Sequence, residues 1–251
     1  MAIFPGLSSF LPHRLLTFII AFGFCLFVMD LSDISGNFDP RFVEVLIKES
    51  ITKLRPAQEK AIQSGLLDGK SVLICTPTAS GKTLIAEMAA MKSILSGKGK
   101  AVYIVPLKAL ANEKFKEFTR KWGGLSKVTL TIGDLDADEP YLEDKDLIIC
   151  TAEKLDALMR HHAPWVRKLG CVIVDEIHLL NDPGRGPVLE ILITMLREVA
   201  KDVQFVGLSA TIGNPGELSD WLKAELVIDN WRPVPLHKGI YYDGTIEFEE
   251  G

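Results

Sequence analysis

Short apolar runs recur along this chain, and between most of them lie longer stretches whose apolar positions return at helical spacing. The runs Ser71–Cys75, Ala101–Val105, Val128–Ile132, Leu147–Cys150, Cys171–Val174 and Val203–Leu208 are rich in Val, Ile and Leu and predict buried strands. The 3.6-residue pattern predicts helices over Pro40–Glu49, Pro56–Leu67, Thr83–Leu95, Leu107–Lys121, Glu153–Arg160, Val188–Val199 and Pro215–Leu222. Alternation of strand and helix from Asp39 onward predicts an α/β fold, a mostly parallel sheet with helices on both faces. Ligands of such sheets bind at the carboxyl ends of the strands, so chemistry is sought there first.

The first such end carries TPTASGKT, Thr76–Thr83, between an apolar strand and a helical run. That context is what a phosphate-binding loop needs. Backbone N–H groups over Thr78, Ala79, Ser80 and Gly81 face an anion at a helix N-terminus, where the dipole adds to the attraction. Lys82 is placed for the β- and γ-phosphates and the Thr83 hydroxyl for Mg²⁺. The general pattern opens with Gly, whereas Thr76 stands here. The second end carries CVIVDEIH, Cys171–His178. Two carboxylates that close an apolar strand are costly beside a core unless chemistry uses them. Asp175 suits Mg²⁺, directly or through water, and Glu176 suits positioning and deprotonating an attacking water. The loop and the acids together imply a nucleoside triphosphate with Mg²⁺ in a P-loop NTPase domain.

With SAT at Ser209–Thr211, these runs resemble the DExH-box helicases of superfamily 2. PLKALANEK from Pro106, TAEKLD from Thr151, RGPVLE from Arg185 and NWRPVPL from Asn230 narrow the resemblance to the Ski-type group. Within it the chain looks most like the archaeal DNA-repair helicases related to human HelQ. The resemblance covers about Leu54 to Leu236. It makes the nucleotide ATP and the domain RecA-like, and implies the ATP-binding motor domain of an ATP-dependent 3′–5′ DNA helicase, with roles in repair and replication-fork processing. Gln58 then matches the position that recognises adenine. His178, Ser209, Ala210 and Thr211 would couple the ATP site to motion. Pro106, Lys108, Thr151, Lys154 and Arg185 would face single-stranded or forked DNA through its phosphates. For the lone Lys and Arg residues a solvated helix face stays an open alternative. RNA stays open as the nucleic acid, because no reader of a 2′-hydroxyl is identifiable. A free-standing ATP- and nucleic-acid-binding regulatory module is the competing reading. A P-loop kinase is disfavoured, since it needs neither SAT nor DEIH.

Composition alters this picture only at its edges. The 251 residues are 47% hydrophobic and 24% charged, which suits one large globular domain. The net charge of -5 excludes wholesale nucleic-acid binding and demands a local patch. Cys75, Cys150 and Cys171 sit in strand-like runs and, with Cys25, form no CxxC pair, so they read as buried thiols of a reducing compartment. Leu15–Met29 is almost continuously apolar behind His13 and Arg14. It reads as an anchor, a signal-peptide core, or upstream sequence translated from a start assigned too early. The third is preferred, because an exported ATP-driven motor would lack its fuel. Residues 1–28 are therefore set apart, residues 29–235 form the RecA-like domain, and residues 236–251 begin a linker. The expected setting is cytoplasmic with no membrane partner. A second RecA-like domain, in cis or in trans, is expected to complete the ATP site. Without it the chain should bind ATP·Mg weakly, turn it over poorly and unwind nothing.

Overall fold

The computed structural model describes residues 29–133, 139–234 and 239–248. The apolar N-terminal stretch, the possible signal or anchor of the sequence, lies outside them, as does Leu236 in the predicted linker. No helix among the described residues is long and apolar enough to cross a membrane.

In chain order the strands are β1 (Val72–Cys75), β2 (Lys100–Val105), β3 (Val128–Thr131), β4 (Leu147–Thr151), β5 (Leu169–Val174), β6 (Gln204–Ser209), β7 (Glu225–Ile228), β8 (Gly239–Tyr242) and β9 (Thr245–Phe248). The helices are α1 (Leu31–Ile34), α2 (Pro40–Lys48), α3 (Pro56–Gln63), α4 (Lys82–Leu95), α5 (Lys108–Trp122), α6 (Ala152–Arg160), α7 (Gly186–Val199) and α8 (Pro215–Leu222). Seven strands form one sheet in the order β3-β4-β2-β5-β6-β1-β7. All its neighbouring pairs are parallel.

Two apolar layers cover the two faces. Val72, Ile74, Tyr103, Val105 and Ile173 join the layer built by α2, α3, α4 and α5. Their chain neighbours Leu73, Cys75, Val102, Ile104 and Val174 join the layer built by α6, α7 and α8. Central strands are thus apolar on both faces, which is why they read as continuous runs rather than as alternation. Cys75, Cys150 and Cys171 are buried and unpaired, as their runs predict. Three departures have local causes. The predicted helix over Pro56–Leu67 stops at Gln63, since Gly65 turns the chain at φ 91° into a short 3₁₀ turn, Leu66–Asp68. β7 escaped prediction because it is an edge strand with Val227 as its only buried residue. In the predicted linker, β8 and β9 pair as an antiparallel hairpin around Asp243 and Gly244, both at positive φ as a two-residue type I′ turn requires.

Candidate active site

The loop between β1 and α4 is held from below and from one side. Thr76 stands where a Gly is usual, and it is wholly buried with its hydroxyl 2.7 Å from that of Ser80. This side chain pins the base of the loop, a task the missing glycine could not perform. Thr78 and Ala79 are exposed at the tip. Ala79 has φ 64°, a strained conformation for a residue with a Cβ. Its carbonyl accepts a 2.6 Å hydrogen bond from Arg55 Nη1. Gly81 caps α4 at φ 93°, and a Cβ there would stand 2.5 Å from Gln58 Nε2. No side chain caps α4, so its first N–H groups remain available to an anion. Lys82 Nζ donates to the carbonyls of Thr76 (2.7 Å) and Pro77 (3.3 Å). Burial draws this ammonium below its ordinary pKa, opposed by the carboxylates of Glu176 and Asp175.

β6 lies between β1 and β5, so Ser209–Thr211 separates the phosphate loop from Asp175 and Glu176 at the same sheet edge. The Ser209 carbonyl accepts from Thr76 N at 3.3 Å. Asp175 is fixed through both oxygens. Oδ1 accepts from Glu176 N at 3.0 Å and Oδ2 accepts from Tyr103 Oη at 2.9 Å. Glu176 has φ 52°, a left-handed conformation on a non-glycine residue directly at the candidate base. His178 Nδ1 lies 3.2 Å from Glu176 Oε2 but is not aligned as a hydrogen bond. Among the described residues His178 Nδ1 has no hydrogen-bond partner. His178 instead shares a small pocket with Ile212 and Asn214, just after the SAT run.

Among the described residues no three His, Cys, Asp or Glu side chains cluster as a metal cage. One hydroxyl, Thr83, and one carboxylate, Asp175, fit Mg²⁺ nonetheless. That ion binds through one or two carboxylates together with substrate phosphates and keeps much of its water.

Gln58 is buried, and its amide already works inside the protein. Oε1 accepts from Arg55 N at 2.8 Å, and Nε2 donates to the Gly81 carbonyl at 3.0 Å. It therefore ties the start of α3 to the phosphate loop and lines a cavity with Ile51, Thr52, Arg55, Gly81 and Thr83. A base entering there would use the remaining hydrogen and lone pair of the amide.

The proposed nucleic-acid residues divide. Val105 and Thr151 are register partners on adjacent strands, so α5 and α6 begin side by side. α5 has neither a side-chain cap nor an acid in its first turn, which leaves its N–H groups open to a phosphate. Lys108 and Arg185 are exposed, and Pro106 and Arg185 line one groove with Asp175 and Glu176. Lys154 is a correction. Its side chain is fully buried and its ammonium pairs with Glu139 at 3.0 Å, so it cannot meet a solvent-side phosphate. Thr151 is buried as well, and its hydroxyl accepts from Lys154 N at 3.4 Å as the cap of α6. Three contributors were missed in the sequence: Arg55, Tyr103 and Lys114, whose Nζ lies 3.4 Å from Thr83 Oγ1. Tyr103 alone left a trace, as the one side chain with a polar tip in the run AVYIV.

The DEAD/DEAH box helicase family matches residues 55–218. The chain is 50% identical over 213 residues to the ATP-dependent DNA helicase Hel308 of Pyrobaculum calidifontis, covering 85% of this chain and 30% of that protein. To the Hel308 of Methanocaldococcus jannaschii it is 53% identical over 219 residues, covering 84% of this chain and 18% of that protein. It thus spans less than a third of the length of these relatives. Among solved structures it is similar to the DUF1998 helicase MrfA bound to DNA, with a TM-score of 0.66 at 29% identity over 77% of this chain and 30% of that one. The same helicase with DNA and AMPPNP gives 0.65 at 28% identity, over 77% and 29%.

Proposed function

The chain belongs to the DEAD/DEAH box helicase family, and from that premise we propose that residues 29–235 are the ATP-binding motor domain of an ATP-dependent DNA helicase that moves 3′ to 5′. One observation carries the reading. The uncapped start of α4 with Lys82 and the acids Asp175 and Glu176 share one sheet edge, with Ser209–Thr211 between them. The electrostatic pull of both acids on Lys82 supports a single site.

In this site the N–H groups of the loop and Lys82 hold the phosphates. Thr83 and Asp175 would hold Mg²⁺, which would neutralise charge on the bound phosphates. Glu176 orients the attacking water and takes its proton. Lys82 must first leave the carbonyls of Thr76 and Pro77, and a phosphate repays both bonds with stronger charge-assisted ones. Pro106, Lys108, Arg185 and the starts of α5 and α6 receive the phosphates of a strand. DNA is favoured over RNA because the relatives above are DNA helicases by name and MrfA was solved with DNA. Arginines from a second RecA-like domain, in cis or in trans, complete the charge stabilisation, a contribution of about 10³- to 10⁵-fold in comparable systems.

The test is nucleotide binding and ATP turnover with and without single-stranded DNA or RNA, beside Lys82→Ala. Binding that is lost in Lys82→Ala, with little stimulation of turnover by DNA, is expected. Binding that survives in Lys82→Ala would remove the phosphate-loop assignment. Stimulation by RNA alone would replace the DNA reading.

A further inference from the structure

Tyr103 has no part in the roles assigned above, yet it touches the centre of the site. It is 1% exposed, in the middle of β2, and its hydroxyl donates to Asp175 Oδ2 at 2.9 Å. A buried phenol needs a partner, and here the partner is the carboxylate assigned to Mg²⁺. Its ring is held edge-on against Phe118 of α5, with centroids 5.2 Å apart at 77°. The same strand holds Asp175 a second time, because the Ile104 carbonyl accepts from Asp175 N at 2.9 Å. Tyr103 therefore reaches Asp175 from a rigid position, with its rotamer fixed by packing.

We propose that Tyr103 is a positioning residue for the metal: its hydroxyl holds the Asp175 carboxylate in the orientation that receives Mg²⁺ with the nucleotide. The inference rests on the ATP-site reading given above. Oδ1 is committed to Glu176 N, so without Tyr103 the carboxylate turns about one hydrogen bond. With both oxygens engaged the plane of the group is set, and each oxygen keeps a lone pair for the ion or its water. Outer partners of this kind typically alter metal affinity or activity by 10- to 100-fold.

The experiment is a Mg²⁺ titration of binding of a fluorescent ADP, N-methylanthraniloyl-ADP, to the chain and to Tyr103→Phe, Asp175→Asn and Phe42→Leu. Binding in the absence of Mg²⁺ and thermal unfolding are read in parallel. Tyr103→Phe is expected to keep metal-free ADP binding while its Mg²⁺ midpoint rises by about tenfold. Asp175→Asn should raise the midpoint at least as far. Phe42→Leu loosens the same apolar layer at the stack of α2 on α5 and leaves the Phe118 contact of Tyr103 in place, and should lower the melting temperature with the midpoint unmoved. A midpoint unchanged in Tyr103→Phe but raised in Asp175→Asn overturns the role of Tyr103 alone. An equal rise in Phe42→Leu also overturns it, since general loosening of the layer would then explain the effect. If Mg²⁺ does not strengthen binding to the unaltered chain, or Asp175→Asn leaves the midpoint in place, the metal reading of Asp175 falls and the proposal with it.

Discussion

At the scale of single residues, buried charge sets the most testable property. Glu87 on α4 is 3% exposed and pairs with Lys121 of α5. Burial pushes its carboxyl from an ordinary 4.5 up to about 7, against the attraction of Lys121. Between those values the folded state holds a proton that the unfolded state has released, so stability falls as pH rises through that window. The full loss is about 3 kcal/mol. Denaturant midpoints measured from pH 4.5 to 7 should decline in the unaltered chain and stay flatter in Glu87→Gln. A second expectation concerns Gly81. Its φ of 93° and the 2.5 Å approach of Gln58 Nε2 make Gly81→Ala doubly strained. Gly81→Ala should cost more than about 1 kcal/mol in a urea melt and weaken nucleotide binding, because Gln58 and the start of α4 must shift together. The placement of Lys82, Asp175 and Glu176 at one sheet edge was legible in the sequence, because each follows an apolar run that reads as a strand. Lys154 was misread, because three residues into a helix a Lys faces solvent or core according to packing that only Glu139 and the sheet decide.

Among the elements, the central strands announced themselves as apolar runs because both their faces are covered. The edge strand β7 did not, since little of it is buried. The place of α2 was not legible either. Nothing in its own periodicity says that Phe42 stacks between Phe38 (4.4 Å) and Trp122 of α5 (4.9 Å). This stack fastens the segment before the phosphate loop to the helix after β2. Phe42→Ala should therefore cost about 3–5 kcal/mol of stability by urea denaturation. A loss well below that would mean that α2 does not depend on the stack. The N-terminal cap of α6 gives a smaller figure at the same scale. Thr151→Ala removes the hydroxyl that accepts from Lys154 N, and about 1 kcal/mol is expected. Thr151→Ser should restore the stability, whereas a contact made only to nucleic acid would leave the melt of the free protein untouched in both.

Across the whole molecule, the burial of Lys154 leaves Lys108 and Arg185 as the two cations proposed to meet a phosphate chain. The expected edge consists of two helix starts on adjacent strands plus Lys108 and Arg185. Helix N–H groups bind a phosphate by hydrogen bonds and partial charge, while each cation that pairs with a phosphate releases counterions. The salt dependence therefore counts the cations separately from the affinity. Two such contacts on a single strand give a slope of about -1.4 in log K against log salt. Lys108→Ala should bring the slope to about -0.7 and weaken binding to all sequences alike. Anisotropy of a labelled thymidine oligomer between roughly 50 and 200 mM salt measures both quantities. A slope steeper than about -3 would place most of the contacts on cations other than these two, and the nucleic-acid face would then lie away from the start of α5. A shallow slope that Lys108→Ala does not change would leave the backbone N–H groups as the main grip. A domain with that grip would hold a strand by geometry more than by charge, and without reading its sequence.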